Sequence, residues 1–358
     1  MGDHVAPGLN SPVSMGQDPE SMSDFWQVAG CSVRGASHVR ANLGNQDQIR
    51  CYPPAGVGPV AALIVADGHG SAQSFRSAMG AELAAEVSKE IAGELLSLSA
   101  TEPLPVVKDM LERYVARTIV ERWRETVRAD FMRTSFGDAE VRRLASQESA
   151  AAVQRVRENP YLAYGTTLVT VVVAGNFMAA WQVGDGDILA VSADGDVDRP
   201  VPGDERLIAN QTTSLCSEDA ARLFRVAFYG TPAPLILVSS DGFSNSFVAD
   251  DGLRKFASDV LLMLIQDGFG AVAGRIEGWL GQITEAGSGD DISLGVLCRM
   301  SGMPRSAAEL DLARAGADVT ERFWLPQQPG GTPRTRNSAE VTTVGVAAAK
   351  AERKGPDG

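Results

Sequence analysis

The apolar positions change period along the chain. From Phe75 they fall at Met79, Leu83, Val87, Ile91 and Leu95, a spacing that predicts a helix with one buried face. Pro103 and Pro105 interrupt the pattern, which resumes at Leu111, Val115, Ile119, Trp123, Val127 and Phe131 with Arg and Glu between. A third helix is expected after Asp138, with Val141, Leu144, Val153 and Val156 inward, stopping before Pro160. The period then shortens. Thr166 to Ala174 (TTLVTVVVA) and Phe177 to Val183 read as two strands joined at Gly175-Asn176. Ile188 to Ser192, Leu235 to Ser239 and Ile292 to Cys298 read as three more, and the apolar run Ala61 to Val65 as an early buried strand. Helical segments are expected around 251–267 and 270–284. Strands joined by tight glycine-containing turns favour antiparallel pairing over the alternation of a doubly wound sheet. The expectation is an α+β fold whose sheets are covered by helices on the outside.

Both ends differ from this pattern. Residues 1–24 are rich in Ser, Pro, Gly and Met and read as a disordered arm; residues 302–358, with PQQPGGTPRTRNS and AAAKAERKGPDG, read as a tail. Between them, 25–301 runs without a linker-like break. No apolar run approaches the length of a membrane span, and the first residues carry no signal-peptide pattern, so the expected compartment is the cytoplasm. The net charge of −13 disfavours nucleic acid and anionic membranes as partners and suits bound cations. The four cysteines (Cys31, Cys51, Cys216, Cys298) form no C-x-x-C pair, and there are three histidines, His4, His38 and His69. A thiolate or multi-imidazole zinc site is therefore not indicated; carboxylate ligands for Mg²⁺ or Mn²⁺ are.

The chemistry concentrates at strand ends. The run from Ala61 to Val65 stops at Asp67-Gly68-His69-Gly70. Alone, Asp-Gly is a turn. The same placement recurs: Asp47 before Ile49, Asp185 after AAWQVG, Asp241 after LILVSS, Asp290 before DISLGVL. Five carboxylates at strand ends predict a cluster at one edge of the sheets. Such a cluster repels itself unless cations neutralise it, and two cations bridged by a carboxylate would activate a water.

In order, these pieces resemble the PPM/PP2C family of metal-dependent Ser/Thr protein phosphatases: Asn45-Gln46-Asp47, D-G-H-G (67–70), G-T-T (165–167), V-G-D-G-D (183–187), S-D-G-F (240–243) and D-D-I-S (290–293). The resemblance spans roughly 26 to 300, and GASHVRANLGNQDQ is more similar to a bacterial subgroup. It implies a four-layer α-β-β-α sandwich around a central antiparallel β-sandwich. It implies that Asp67 bridges two Mn²⁺ or Mg²⁺ ions with the Gly68 carbonyl as a further ligand, that Asp241 and Asp290 complete the first ion's shell, and that Asp47 holds the second. Asp185 would lie near a weaker third metal position, and His69 would be the general acid. The implied partner is a phosphoprotein, a Ser/Thr kinase or its target, acted on by a monomer.

Two departures stand out. Gln46 takes the place of the family's usual Glu, a poorer donor to a hard cation. The phosphate-binding Arg expected four residues earlier is displaced to Arg40; Arg34 or the Ser37-His38 pair are its alternatives. These departures keep open a second reading, a pseudophosphatase that binds a phosphoprotein or regulator without turnover. A metallohydrolase of small phosphoesters is a third. No P-loop is present to support a nucleotide site. Residues 202–230 fall where the family carries a mobile flap, and they are polar and irregular.

Overall fold

The computed structural model describes residues 24–203 and 212–316, all within one compact unit. The expected arm (1–23 of it) and the tail from 317 on lie outside the described residues. Eleven strands are described: β1 (Trp26–Val33), β2 (Gln48–Tyr52), β3 (Val57–Gly58), β4 (Ala61–Ala66), β5 (Leu168–Val173), β6 (Met178–Val183), β7 (Asp187–Val191), β8 (Val197–Asp198), β9 (Arg225–Tyr229), β10 (Leu235–Ser239) and β11 (Ile292–Arg299). They form two antiparallel sheets, ordered β3-β1-β11-β10-β7-β8 and β2-β4-β5-β6-β9.

Side-chain alternation explains the layers. In β4, Ala61, Leu63 and Val65 join the core between the sheets, with Trp26, Val169, Ile236 and Leu297. Its alternate residues, Ala62, Ile64 and Ala66, face outward under helices. In β10, Ile236 and Val238 face the other sheet while Leu235 and Leu237 face a second helical layer. Both sheets are thus buried on both faces, which is why their strands read as continuous apolar runs. The architecture is the α-β-β-α sandwich.

The helices are α1 (Ala36–Ala41), α2 (Ser77–Ser99), α3 (Leu104–Met110), α4 (Ala116–Arg133), α5 (Asp138–Gln147), α6 (Ala150–Glu158), α7 (Ala220–Leu223), α8 (Asp241–Ser244), α9 (Asp250–Asp267), α10 (Phe269–Ala273), α11 (Ile276–Ala286) and α12 (Ala307–Gly316). A π-helical turn, Leu111–Val115, joins α3 to α4. A strict spacing of four drifts about 40° per step on an α-helix, and the wider turn absorbs part of that drift. Leu111, Val115, Ile119, Trp123 and Val127 all stay buried as a result. On α2 the expected stripe is only half right. Val87, Ile91 and Leu95 are buried, but Met79 is exposed, and Ala81, Ala84, Ala85 and Ser88 are buried as well. Small side chains let the helix approach closely.

Four expectations need correction. The third helix is two: the chain breaks at Glu148, and Ser149 restarts it by accepting the Ala152 N–H, as N-cap serines do. β1, unrecognised in the sequence, is a central strand paired with β11 along its whole length. Of the expected flap, 204–211 lie outside the described residues, while Arg225–Tyr229 is no loop but β9, the edge strand beside β6. Order also continues past the expected start of the tail at 302. α12 packs Leu310 into the outer core under α9, and Arg314 Nε donates to the Asp194 carbonyl at 3.2 Å. No described helix is long and apolar enough to cross a membrane.

Candidate functional site

Strand register brings the acidic residues together. In the smaller sheet Ala66, last of β4, pairs with Gln48, first of β2. Leu168, first of β5, pairs with Val183, last of β6. Asp67, Asp47 and Thr167 therefore project past one end. In the larger sheet Ser239, last of β10, pairs with Asp187, first of β7, and with Leu294 of β11. Asp241, Asp185 and Asp290 follow at that end. The two ends are joined across the sandwich, where Ser240 Oγ donates to Asp47 Oδ2 at 2.7 Å.

There a cavity of about 330 Å³ opens, lined by Asp67, Gly68, His69, Asp185, Asp241 and Asp290, with Ser37, His38, Thr167 and Asp291 on its walls. Asp47 lies behind it, only 2% exposed. Six of the seven residues singled out for catalysis and metal binding line this cavity and the seventh backs it. No lysine or arginine is among its described lining residues.

The D-G-H-G turn is fixed by backbone and by packing. Thr167 N–H and Thr166 Oγ1 both donate to the Asp67 carbonyl at 2.8 Å, and the Gly68 N–H donates to the Gln46 carbonyl. A Cβ on Gly68 would stand 2.8 Å from the Gln46 carbonyl oxygen and 2.9 Å from the Ser77 backbone. His69 N–H donates to the Gly165 carbonyl, and a Cβ on Gly165 would lie 2.6 Å from His69 Cδ2. The glycine of G-T-T is thus the space in which the His69 ring lies.

The electrostatics are those of crowded like charges. Burial pushes the Asp47 carboxyl up to about 7, against the opposing hydroxyl of Ser240 and with added repulsion from Asp291. Burial, then Asp47, Asp241 and Asp290, raise Asp67 well above the carboxylate range. Asp241 is raised by burial and by Asp185 and Asp290, although Asn245 Nδ2 donates to it at 3.0 Å. Burial lowers His69, and the charge of Asp185 opposes that shift. Asp47 Oδ1 is buried without a hydrogen-bond partner among the described residues.

This chemistry fits divalent cations: hard oxygen donors, repelling one another, with a buried acceptor atom unused. As they stand, no three His, Cys, Asp or Glu side chains among the described residues are grouped to enclose one ion. Asp185 differs from its neighbour Asp187 in the same motif, which is paired with Arg199 at 2.8 Å.

Arg40 lies in the last turn of α1, exposed, with its guanidinium near Gly289, between the lining residues Ser288 and Asp290, and is not itself among the lining residues. Arg34 instead donates to the Leu43 carbonyl at 3.3 Å. The wall there is made by Ser37 and His38. Asp291, the second residue of D-D-I-S, is 3% exposed and accepts from Gly35 N–H, Gln46 N–H and His38 Nδ1 at 2.6, 2.7 and 2.8 Å. It fastens the β1–α1 loop to the start of β11.

The model of the protein phosphatase 2C family matches residues 34–281, a span that contains Asp47, Asp67, His69, Asp185 and Asp241 and ends before Asp290. No curated protein matches the chain. Solved structures similar to it include PppA, a key regulatory component of T6SS in Pseudomonas aeruginosa (20% identity, TM-score 0.48, covering 76% of this chain and 97% of that one). The serine/threonine phosphatase PstP/Ppp of Mycobacterium tuberculosis is 19% identical (TM-score 0.44, 76% and 98%). The S. agalactiae serine/threonine phosphatase is 17% identical (TM-score 0.47, 76% and 99%). With more than half of its length matched by the family model, the chain belongs to the protein phosphatase 2C family.

Proposed function

We propose that the chain is a metal-dependent protein phosphatase that hydrolyses phosphoserine and phosphothreonine. The observation that carries this reading is the convergence of Asp67, Asp185, Asp241, Asp290 and His69, from both sheets, on one cavity without a lysine or arginine in its described lining. Asp67 is central, with the charges of Asp47, Asp241 and Asp290 all acting on its carboxyl. It would bridge two divalent cations, Mn²⁺ or Mg²⁺, with the Gly68 carbonyl, Asp241 and Asp290 on one and Asp47 on the other. Asp185 would serve a third, weaker position. Bound cations would supply charge neutralisation, orientation of the phosphoryl oxygens and an activated water.

The chain's own groups do the rest. Thr166 and Thr167 hold Asp67 in place through its backbone. A ring nitrogen of His69 gives a proton to the leaving serine or threonine oxygen, with Asp185 favouring the protonated ring. The substrate is a phosphoprotein, a kinase or its target, whose phosphorylated side chain reaches into the cavity from solvent.

The test is hydrolysis of p-nitrophenyl phosphate and of a phosphopeptide by the purified chain with Mn²⁺, Mg²⁺ or EDTA, beside Asp241→Ala. The expected result is cation-dependent turnover reduced on the order of 10³-fold in the variant. Gln46 in place of Glu, and Arg40 outside the cavity, favour a second reading, a pseudophosphatase. Phosphopeptide binding by a folded protein without turnover would establish that reading and overturn the first.

A further inference from the structure

His38 belongs to the Ser37-His38 pair that is an alternative to the displaced phosphate-binding arginine, and its surroundings are those of a metal ligand. Its side chain is 13% exposed, and Nδ1 lies 2.8 Å from Asp291 Oδ2. Asp291 already accepts the Gly35 and Gln46 backbone N–H groups. A carboxylate surrounded by three donors has only acceptor work to do, so Nδ1 carries a hydrogen and Nε2 is the ring nitrogen left to face a cation. An asparagine in its place would turn its amide hydrogens on one of those donors.

The ring is rigidly held. Ser37 donates twice to the Gly289 carbonyl, from N at 2.8 Å and from Oγ at 2.6 Å, and this ties α1 to the turn before Asp290. Nε2 faces Asp290 Oδ1 at 3.7 Å, too far for a hydrogen bond. Ligand atoms about 2.1 Å from one ion at neighbouring positions stand roughly 3–3.5 Å apart. The observed separation needs only a few tenths of an ångström of closure. An imidazole that donates one N–H to a buried carboxylate while its other nitrogen faces an oxygen ligand is the usual arrangement at metal centres.

We infer that His38 Nε2, oriented by Asp291, binds a divalent cation jointly with Asp290 Oδ1, giving one ion of this site a nitrogen ligand. The inference rests on the metal-dependent reading above. It carries a consequence for metal choice: an imidazole nitrogen suits Mn²⁺ better than Mg²⁺, which prefers oxygen alone. Gln46, the weaker donor than glutamate, leaves room for that compensation elsewhere in the site.

The experiment is Mn²⁺ binding to the full chain, followed by pulsed electron paramagnetic resonance for nitrogen coupling, with His38→Gln and His69→Gln in parallel. The expected spectrum of the wild-type chain shows coupling to one imidazole nitrogen, lost in His38→Gln and kept in His69→Gln. Mn²⁺ affinity falls about tenfold or more in His38→Gln, and Mg²⁺ affinity changes less. Bound Mn²⁺ without nitrogen coupling in the wild-type chain, or coupling that disappears only in His69→Gln, overturns the role of His38 and leaves the metal-dependent reading intact. The wild-type spectrum decides this even where a variant fails to fold. A folded wild-type chain that binds no Mn²⁺ removes both.

Discussion

Two clusters of charged side chains lie at the ends of the segment 67–76, and they are built on opposite terms. At one end Arg76 is fully engaged. It donates to both oxygens of Glu140 at 2.8 and 2.9 Å, to Tyr164 Oη at 2.8 Å, and to the carbonyls of Thr134 and Ser135. Tyr164 passes the chain on to Asp130 Oδ2, whose other oxygen accepts from Arg133. The Phe136 ring covers the guanidinium at 4.9 Å. Two cations meet two carboxylates. At the other end five carboxylates line a cavity that has no such counter-charge among its described residues. The cavity beside Arg76 is the larger, about 520 Å³ against about 330 Å³. Size therefore does not mark the site; uncompensated charge does. A cluster that satisfies itself locks elements together, whereas one that cannot is completed by what it binds.

The first way to break this comparison is Arg76→Ala. Removing one partner from a buried, hydrogen-bonded ion cluster leaves Tyr164 Oη without a donor and Glu140 with the Gly137 N–H alone, and the expected loss is about 3 kcal/mol of unfolding free energy. Urea denaturation reads it directly. An unchanged midpoint would mean that the cluster is not holding α5 against the start of α2.

The opposite cluster answers with the opposite sign. Asp67→Asn replaces a carboxyl that burial and its acidic neighbours make costly to ionise with a neutral group of the same shape. In EDTA the variant is expected to be more stable than the wild-type chain by about 1 kcal/mol, and with cations to lack the turnover proposed above. A thermal melt that places the variant below the wild type in EDTA would show that Asp67 is satisfied without a cation, and the contrast between the two clusters would fail.

The sequence made one of these clusters legible and hid the other. Strand-end aspartates beside glycines are visible because each sits where an apolar run stops, so Asp67, Asp241 and Asp290 stand out against their neighbours. Arg76, Asp130, Glu140 and Tyr164 lie on separate elements with no shared period, and each reads alone as a surface charge or a core ring. The same cause hid Asp291. Its partners Gly35, His38 and Gln46 lie more than 240 residues earlier, and a long-range clamp leaves no local pattern. β1 escaped because WQVAGCSV alternates weakly, with Gly30 and Cys31 in its middle, and takes its strand form from pairing with β11. The layers were legible from composition of the runs; which side chains close the site was set by register.

The smallest expected effect is a matter of pH. The Arg76 guanidinium holds the Glu140 carboxyl below its ordinary value of 4.5, with the Gly137 N–H helping at 2.7 Å. A carboxylate depressed in the folded state adds stability above its unfolded value and loses it as pH falls through the folded one. Glu140 is about one-third exposed, so solvent screens the gain. The expectation is that Glu140→Gln melts below the wild-type chain at pH 7, and that the gap narrows steadily once the pH drops under 4.5. Melts of both proteins between pH 7 and 3 measure it. A gap that stays constant across that range would assign the loss to the second acceptor oxygen that the amide lacks and not to charge, and Arg76 would then hold Glu140 by hydrogen-bond geometry alone.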